Sequence, residues 1–269
     1  MSDPTDNPGS TSRPDERADR FGTSRRTFLA LAGAGALGVA GFGSATVFGQ
    51  NSPQSFTVRI ENVSDGMTLT TSGMDDLAEQ PVPLSPGAYA VHRKDEPIFS
   101  ADEPERNNGL EEIAEDGNPE RLAMSLADCD TELSSGAFTT PVGSDMPAPI
   151  GPGGAYEFSI ESPRKNTYLS LVTMFVPSND LFYSLGGTGG LRLFDGNEPV
   201  SGDVTDQVSL WDAGTEVNEE PGTGENQVQR QSAPGVGLVE RGTVVPITEV
   251  NGYDYPDVSD VIRVTIMPE

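Results

Sequence analysis

Apolar and polar residues alternate with a period of two in several stretches after Gln54, which is the pattern of half-buried β-strands. The clearest stretches are residues 56–60 and residues 156–160, where every second side chain is large and apolar. Residues 168–176 are almost continuously apolar, which predicts a central strand that is buried on both faces. Further strands are predicted at the shorter apolar stretches 191–194, 208–211, 243–247 and 261–266.

Helical periodicity is confined to residues 109–115 and 119–126, inside a long connection that runs from residue 93 to residue 150. The chain has no internal repeat and no alternation of strands with long helices, so a parallel α/β sheet is not expected. The pattern instead predicts an all-β fold, an antiparallel β-sandwich of roughly eight strands with a long, partly helical connection. Because both ends of the patterned region are strong strand candidates, the final strand is expected to lie beside an early one.

The charge balance of the chain is strongly acidic. There are 42 Asp and Glu residues against 16 Lys and Arg residues, which gives a formal net charge of −26. Such an excess, with hardly any lysine, is typical of a salt-loving organism, because multimolar salt shortens the Debye length to about 3 Å and an acidic surface keeps the protein hydrated. Nucleic acids and anionic membrane surfaces are not expected as partners, because both require basic patches.

The N-terminal region, residues 1–50, has the composition of a polar, disordered tract followed by an export signal. Arg25 and Arg26 precede an uncharged, glycine-rich apolar stretch, which is typical of the twin-arginine export route. The alternative is a retained membrane anchor, although the glycines make this stretch less hydrophobic than a usual span. Residues 51–269 are therefore expected to form one exported domain, extracellular or at the cell surface, with no membrane insertion after removal of the signal.

Two chemically versatile residues occur once each. Cys129 is the only cysteine, which excludes an intramolecular disulfide and a cysteine zinc site, and it is expected to be a small buried side chain. His92 is the only histidine, and without a Gly-x-Ser-x-Gly motif it is expected at a strand end, holding a loop by hydrogen bonds. The glycine-rich stretch 186–190 lacks the lysine and the helix that follow a phosphate-binding loop, so it is expected to be a hairpin or loop.

The many carboxylates allow two kinds of site. Paired carboxylates can hydrolyse glycosides, but in so acidic a chain some pair will always lie at a suitable distance. Calcium is the better chemical use, because it takes about six to eight oxygen ligands. Asp212 follows the predicted strand that ends at Trp211, Gly214 permits a turn that points Glu216 back, and Asp180 follows the predicted central strand. These three acidic residues are the candidate metal ligands.

Three stretches give the chain a resemblance to the spondin N-terminal domain family, which occurs in animal extracellular-matrix proteins and in exported prokaryotic proteins. Residues 84–92 (LSPGAYAVH) with residues 109–117 (GLEEIAEDG) resemble an early segment of the prokaryotic members. Residues 169–180 (LSLVTMFVPSND) resemble the core strand of the family and its Pro-Ser-Pro-Asp turn. Residues 212–216 (DAGTE) resemble its Asp-Ala-Gly-Thr-Asp loop.

The resemblance implies a C2-like β-sandwich and, by matching position, one calcium ion bound by Asp180, Asp212 and Glu216. Asn179 stands where the family usually has proline and Leu181 where it has tryptophan, which predicts a different shape for the first loop. Glu216 replaces an aspartate, and its extra methylene shifts the geometry of a bound cation. The disulfides of the animal members are absent.

The expected function is therefore that of a non-enzymatic, exported calcium-binding module, which adheres to an extracellular protein or polysaccharide of unknown identity. One alternative is an extracellular enzyme that acts on polysaccharide with two carboxylates; it predicts a deep cleft with two close, partly buried acids away from Asp180. The other is a metal-free structural envelope protein, in which Asp180, Asp212 and Glu216 would diverge into solvent.

Overall fold

The computed structural model describes residues 52–72, 77–93, 95–130, 132–163, 166–250 and 252–269, which form a mostly β-stranded, antiparallel structure. The strands are β1 (Gln54–Asn62), β2 (Leu69–Ser72), β3 (Leu77–Gln80), β4 (Leu84–His92), β5 (Glu132–Phe138), β6 (Ala155–Ser162), β7 (Tyr168–Phe175), β8 (Leu181–Leu185), β9 (Leu191–Arg192), β10 (Phe194–Asp195), β11 (Glu198–Pro199), β12 (Gly202–Asp203), β13 (Val208–Asp212), β14 (Val245–Pro246) and β15 (Ile262–Pro268). The α-helices are α1 (Leu110–Asp116), α2 (Glu120–Ala127) and α3 (Val258–Val261).

The smaller of the two main sheets has four antiparallel strands in the order β12-β15-β1-β6. In the centre of this sheet, Val58 lies opposite Ile266 on one side and Phe158 on the other. Alternate side chains of β1 are fully buried, as the period of two requires. The predicted strands in these three segments are confirmed, and the final strand lies beside the first one, as predicted.

The larger sheet has the strand order β14-β13-β8-β7-β4-β5, and β9 also pairs with β7. Every residue of β7 after Tyr168 is buried, which confirms the predicted central strand. Leu169 and Leu171 face the smaller sheet, whereas Val172 faces the opposite side. The large sheet therefore buries both of its faces at β7.

The two sheets pack face to face as a β-sandwich. Eight of their strands have five or more residues, which agrees with the predicted number, and β9, β12 and β14 add two residues each. Burial of each large apolar side chain between the sheets contributes about 1.5–3 kcal/mol. The largest of these side chains are Phe56, Ile60, Leu84, Tyr156, Phe175 and Tyr183.

A helical layer covers the outer face of the larger sheet. The predicted helices are confirmed as α1 and α2, and Leu110, Ile113 and Leu122 pack with Val172 and Phe182 of the sheet. The two helices approach each other closely where α1 begins, at Gly109. A Cβ atom there would lie 2.2 Å from the backbone nitrogen of Leu122, and the φ of 111° also favours glycine. This third layer explains why neither face of β7 is exposed to solvent.

The prediction that Cys129 is buried is wrong, because its side chain is exposed. The apolar face of α2 is formed by Leu122 and Leu126, and the helix ends at Ala127 before it could place position 129 on that face. Cys129 lies instead in a turn between Asp128 and Asp130, where it has no core to pack against.

Two predicted strands are shorter than their apolar patterns. Of residues 243–247 only Val245–Pro246 forms a strand, and residues 247–249 form a 3₁₀ turn, because proline has no N–H to continue the ladder. Val244 is nevertheless buried, and its N–H donates to the carbonyl of Glu103 at 2.9 Å. Residues 191–194 divide into β9 and β10, which join different sheets.

The predicted twin-arginine signal and polar tract, residues 1–50, lie outside the described residues. Within the described ranges, no helix has the length and apolar character needed to cross a membrane.

Candidate metal centre

Asp180 lies in the turn between β7 and β8, and its side chain is fully buried. The hydroxyl of Ser178 shapes this turn by donating to the carbonyl of Phe175 at 2.6 Å and accepting the N–H of Leu181 at 3.1 Å. Asn179, at the position where the family resemblance has proline, donates through Nδ2 to the carbonyl of Val217 at 2.9 Å. The departure from proline thus ties the first loop to the loop after β13.

Asp212 ends β13 and pairs with Leu181 across the sheet, so the ladder itself places it beside Asp180. Its Oδ1 accepts the N–H of Gly214 at 2.6 Å, and its Oδ2 accepts Nδ2 of Asn218. Gly214 has φ 67°, and a Cβ atom there would lie 2.7 Å from the carbonyl oxygen of Thr243. This position therefore requires glycine, as the predicted turn did.

The carboxyl groups of Asp180 and Asp212 are neighbours, and each influences the pKa of the other. Burial, reinforced by the negative charge of Asp212, raises the pKa of Asp180 well above its ordinary value. Burial also raises the pKa of Asp212, and hydrogen bonds from Asn218 and Gly214 offset part of this shift. When both groups are ionised neither can donate to the other, and Oδ1 of Asp180 then has no hydrogen-bond partner.

The structure brings Glu216 to the same place through its backbone rather than its carboxylate. The N–H of Glu216 donates to Oδ2 of Asp180 at 3.2 Å. Its carboxylate instead accepts the N–H of Gly237 at 2.7 Å and Nδ2 of Asn179 at 3.2 Å. Burial raises the pKa of Glu216 as well.

The predicted trio is thus buried in one loop cluster, with Asp180, Asp212 and Glu216 exposed by 0%, 3% and 4%. The divergence into solvent that a metal-free envelope protein predicts is not seen. Across the described residues, however, no three His, Cys, Asp or Glu side chains are placed together as a ready metal cage. Asp180 and Asp212 are neighbours, and the carboxylate of Glu216 is held by the N–H of Gly237 and by Nδ2 of Asn179.

The residues nevertheless fit a hard cation. The Asp180–Asp212 pair supplies carboxylate oxygens, and two side-chain oxygens, Oδ1 of Asp180 and Oδ1 of Asn218, are buried without a partner. Among the described residues, no Arg, Lys or His forms an ion pair with Asp180, Asp212 or Glu216. Two adjacent buried carboxylates without a basic partner are unfavourable, and a proton or a cation would relieve their repulsion.

One acidic residue of this region was not predicted from the sequence. Glu115 of α1 is only 4% exposed, and burial raises its pKa to about 8, with further increases from the charges of Glu216, Glu111 and Asp116. The sequence offers only a weak signal for its burial. Glu115 follows Ala114 on the buried side of α1, but the helix also contains Glu111, Glu112 and Asp116, and nothing in the sequence distinguishes the buried acid from these three.

His92 confirms the expectation of a structural histidine at a strand end. It is fully buried, with Nδ1 2.6 Å from Oδ1 of Asp95 and Nε2 2.9 Å from Oγ of Ser170. The order Ser-His-Asp is that of a hydrolase triad, but Ser170, the third residue of β7, is only 1% exposed. A Cβ atom on Gly190 would lie 2.8 Å from Nε2 of His92, so the glycine-rich loop closes directly over the network.

The described surface also bears on the enzyme alternative, which predicts a cleft with two partly buried acids away from Asp180. A cavity of about 490 Å³ is lined by Asp65 and Asp260, but both residues are exposed. Hydrogen bonds from Met67 and Thr68 lower the pKa of Asp65, which is the opposite of what a general acid needs. A second cavity, of about 320 Å³, has Asp116 as the one acidic residue of its lining.

No family model matches the sequence, and no curated protein is similar to it.

Proposed function

We propose that this protein is an exported, non-enzymatic β-sandwich module that binds calcium between the β7–β8 loop and the loop after β13, and uses this end for adhesion or binding. The observation that carries the proposal is the adjacent buried pair Asp180 and Asp212, with one carboxylate oxygen lacking any partner. A divalent cation at this pair would remove the repulsion between the two carboxylates and use the free oxygen.

Glu216 is positioned to complete such a site after a local change. Its backbone already bonds to Asp180, and only its carboxylate is engaged by Gly237 and Asn179. Exchanging these two hydrogen bonds for a cation would bring the third carboxylate to the pair. The longer side chain of glutamate, relative to the aspartate of the family, provides the reach for this movement.

The resemblance to the spondin N-terminal domain family supports the same function. The antiparallel sandwich is the fold that the resemblance requires, and the two acidic loops lie at one end of it. In animal members the matching acidic residues bind calcium, which is the basis for choosing calcium over other hard cations.

Exposed aliphatic side chains beside the site support a binding role. Val217, Leu238 and Val239 are 44%, 70% and 70% exposed, and the carbonyl of Leu238 accepts the N–H of Val217 at 2.8 Å. Val239 forms an isolated β-bridge with Glu216, so this apolar surface is connected to a proposed ligand. Calcium would stiffen the surface that an extracellular protein or polysaccharide contacts.

The export part of the proposal rests on Arg25 and Arg26 and the apolar stretch that follows them. It places the protein outside the membrane or at the cell surface, where calcium is available.

Calorimetric titration of calcium in multimolar KCl tests the function. We expect saturable binding by the wild-type protein, loss of binding in Asp212→Asn, and unchanged binding in Asp145→Asn, a matched change at an exposed acid. Magnesium, with its smaller and stricter coordination shell, should bind more weakly. Equal binding by the two variants would show that any calcium is held elsewhere on the acidic surface.

A further inference from the structure

A short antiparallel ladder joins the loop after β13 to residues 236–242. Three backbone hydrogen bonds of 2.8–2.9 Å hold it, from the N–H groups of Val217, Glu240 and Gly242 to the carbonyls of Leu238, Thr215 and Gly214. Glu216 and Val239 form the antiparallel bridge at its centre. Residues 236–240, which we call the 236–240 edge, are one of its two strands.

The positions of these hydrogen bonds determine which backbone groups point outward. In an antiparallel ladder, the residues of a non-hydrogen-bonded pair direct their own N–H and C=O groups away from the partner strand. Glu216 and Val239 are such a pair, because the hydrogen bonds lie at their neighbours. The N–H of Glu216 points inward and donates to Oδ2 of Asp180 at 3.2 Å. The N–H and C=O of Val239 point to the opposite side, where neither has a hydrogen-bond partner among the described residues.

Exposed aliphatic side chains surround these free backbone groups. Val236, Leu238 and Val239 are exposed, as is Val217, which lies opposite Leu238 in the ladder. Sheet edges of soluble proteins are normally protected by charged residues, by proline or by a covering segment, because free backbone groups beside apolar side chains pair with other chains. Residues 236–239 contain neither a charged residue nor proline. The 236–240 edge therefore lacks this protection.

We infer that the 236–240 edge binds an extended peptide segment of a partner protein, which adds one strand to the ladder. The backbone of the segment would supply the acceptor and the donor that Val239 lacks, and its apolar side chains would cover Leu238 and Val239. A polysaccharide has no regularly spaced amide groups to continue the ladder, so the geometry favours a protein partner. This inference deepens the binding role in the proposed function and rests on it.

The size and charge of this surface favour another protein over a second copy of the chain. Four exposed aliphatic side chains are far fewer than the roughly 20–30 residues that each partner contributes to a stable interface. Two copies would each carry a formal net charge of −26, which opposes self-association and favours a partner segment with basic residues. The expected ligand is therefore a short extended peptide in which aliphatic and basic residues alternate.

The test titrates the full-length protein in KCl with a capped peptide of alternating valine and lysine residues. The control peptide has the same sequence with every backbone nitrogen methylated, so it keeps the side chains and lacks the N–H donors. The wild-type protein should bind the first peptide at least about tenfold more tightly, which corresponds to one or two hydrogen bonds. Equal binding of the two peptides would overturn the inference.

Two substitutions at Val239 separate its backbone from its side chain. Val239→Pro removes an N–H that forms no hydrogen bond within the described residues, so the variant should fold, which circular dichroism checks. It should weaken peptide binding by about tenfold or more, whereas Val239→Thr, which keeps the N–H, should stay within about threefold of the wild type. Peptide binding that is equal in Val239→Pro and the wild type would contradict strand addition.

Hydrogen exchange identifies the occupant of the edge. The Val239 amide of the wild-type protein should exchange more slowly once the unmethylated peptide is bound. Protection of this amide by dextran, a neutral polysaccharide, and not by the peptide would overturn the choice of a protein partner. Sedimentation without peptide tests for self-association, and a dimer that dissociates in Val239→Pro would show that a second copy occupies the edge instead.

Calcium titration of the same wild-type protein separates this inference from the proposed function. Calcium binding without peptide binding would remove the inference and leave the calcium site standing. Peptide binding without calcium binding would remove the calcium site and leave the 236–240 edge as the binding surface. If neither ligand binds, both proposals fail.

Discussion

The two ends of β7 both carry buried polar side chains, but the environments of these side chains differ. At the first end, each ring nitrogen of His92 has a partner, Asp95 on one side and Ser170 on the other. At the second end, the neighbouring carboxyl groups of Asp180 and Asp212 have raised pKa values, and Oδ1 of Asp180 has no hydrogen-bond partner. Both clusters could have been read as catalytic from residue types alone.

The difference separates a structural network from a ligand site. Buried polar groups in proteins are normally hydrogen-bonded, and a complete network such as that of His92 stabilises the fold without needing anything further. An incomplete cluster of like charges costs stability, and such clusters are concentrated at functional sites. The following predictions test this distinction, from the largest expected effect to the smallest.

His92→Ala should destabilise the protein by about 3 kcal/mol, because it leaves a cavity and removes the partner of the buried Ser170 hydroxyl. The loss should be the same with calcium and with a chelator, since His92 lies at the other end of β7. Urea unfolding followed by circular dichroism measures it, with the exposed Arg93→Ala as the control. A loss that depends on calcium would contradict the separation of the two clusters.

Calcium should stabilise the wild-type protein by about 2.7 kcal/mol when free calcium is about 100 times its dissociation constant. Asp180→Asn should abolish this increase, because it removes one charge of the central pair. The same variant should be no less stable than the wild type in chelator, since the repulsion with Asp212 is gone. Thermal unfolding in multimolar KCl gives both numbers, and calcium stabilisation that survives in Asp180→Asn would exclude the pair as the site.

How far the sequence predicts this molecule depends on the range of the interactions. The period of two identified β1 and β6, because alternation is a property of each strand alone. The unbroken apolar run identified β7, and the strand ends then located Asp180 and Asp212. Each of these predictions required only local pattern and the geometry of a β-strand.

The features that were missed depend on tertiary contacts. The burial of Glu115 becomes visible only when α1 is packed on the sheet. The Glu216 carboxylate accepts the N–H of Gly237, which is 21 residues away in sequence. The exposure of Cys129 follows from where α2 ends. Residues 243–247 form only a two-residue strand, because Pro246 has no N–H to donate and Val244 bonds to the 93–150 connection. None of these contacts leaves a periodic pattern in the chain.

Without calcium, the stability of the protein should fall as pH rises from about 4.5 to about 8. In the folded protein the pKa of Glu115 is raised from its ordinary value of 4.5 to about 8, so over this range the folded state binds more protons than the unfolded chain. Each such group lowers stability by at most about 1.4 kcal/mol per pH unit. Urea unfolding in chelator at several pH values measures the slope, which should be smaller in Glu115→Gln and unchanged in Glu120→Gln. An equal slope in both variants would mean that Glu115 titrates normally.

Thr188→Ala should have the smallest effect, a decrease of about 0.5 kcal/mol in the free energy of unfolding. The hydroxyl of Thr188 donates to Oε1 of Glu96 at 3.0 Å, which fastens the glycine-rich loop over His92, but this hydrogen bond is exposed to water.

Gly190→Ala in the same loop should destabilise the protein much more than Thr188→Ala. The φ of Gly190 is 74°, and a Cβ atom there would lie only 2.8 Å from Nε2 of His92. Neither change should alter calcium affinity. Urea unfolding and calcium titration of the two variants together measure how far the His92 cluster is independent of the acidic one, and a weaker calcium affinity in either variant would show that β7 couples its two ends.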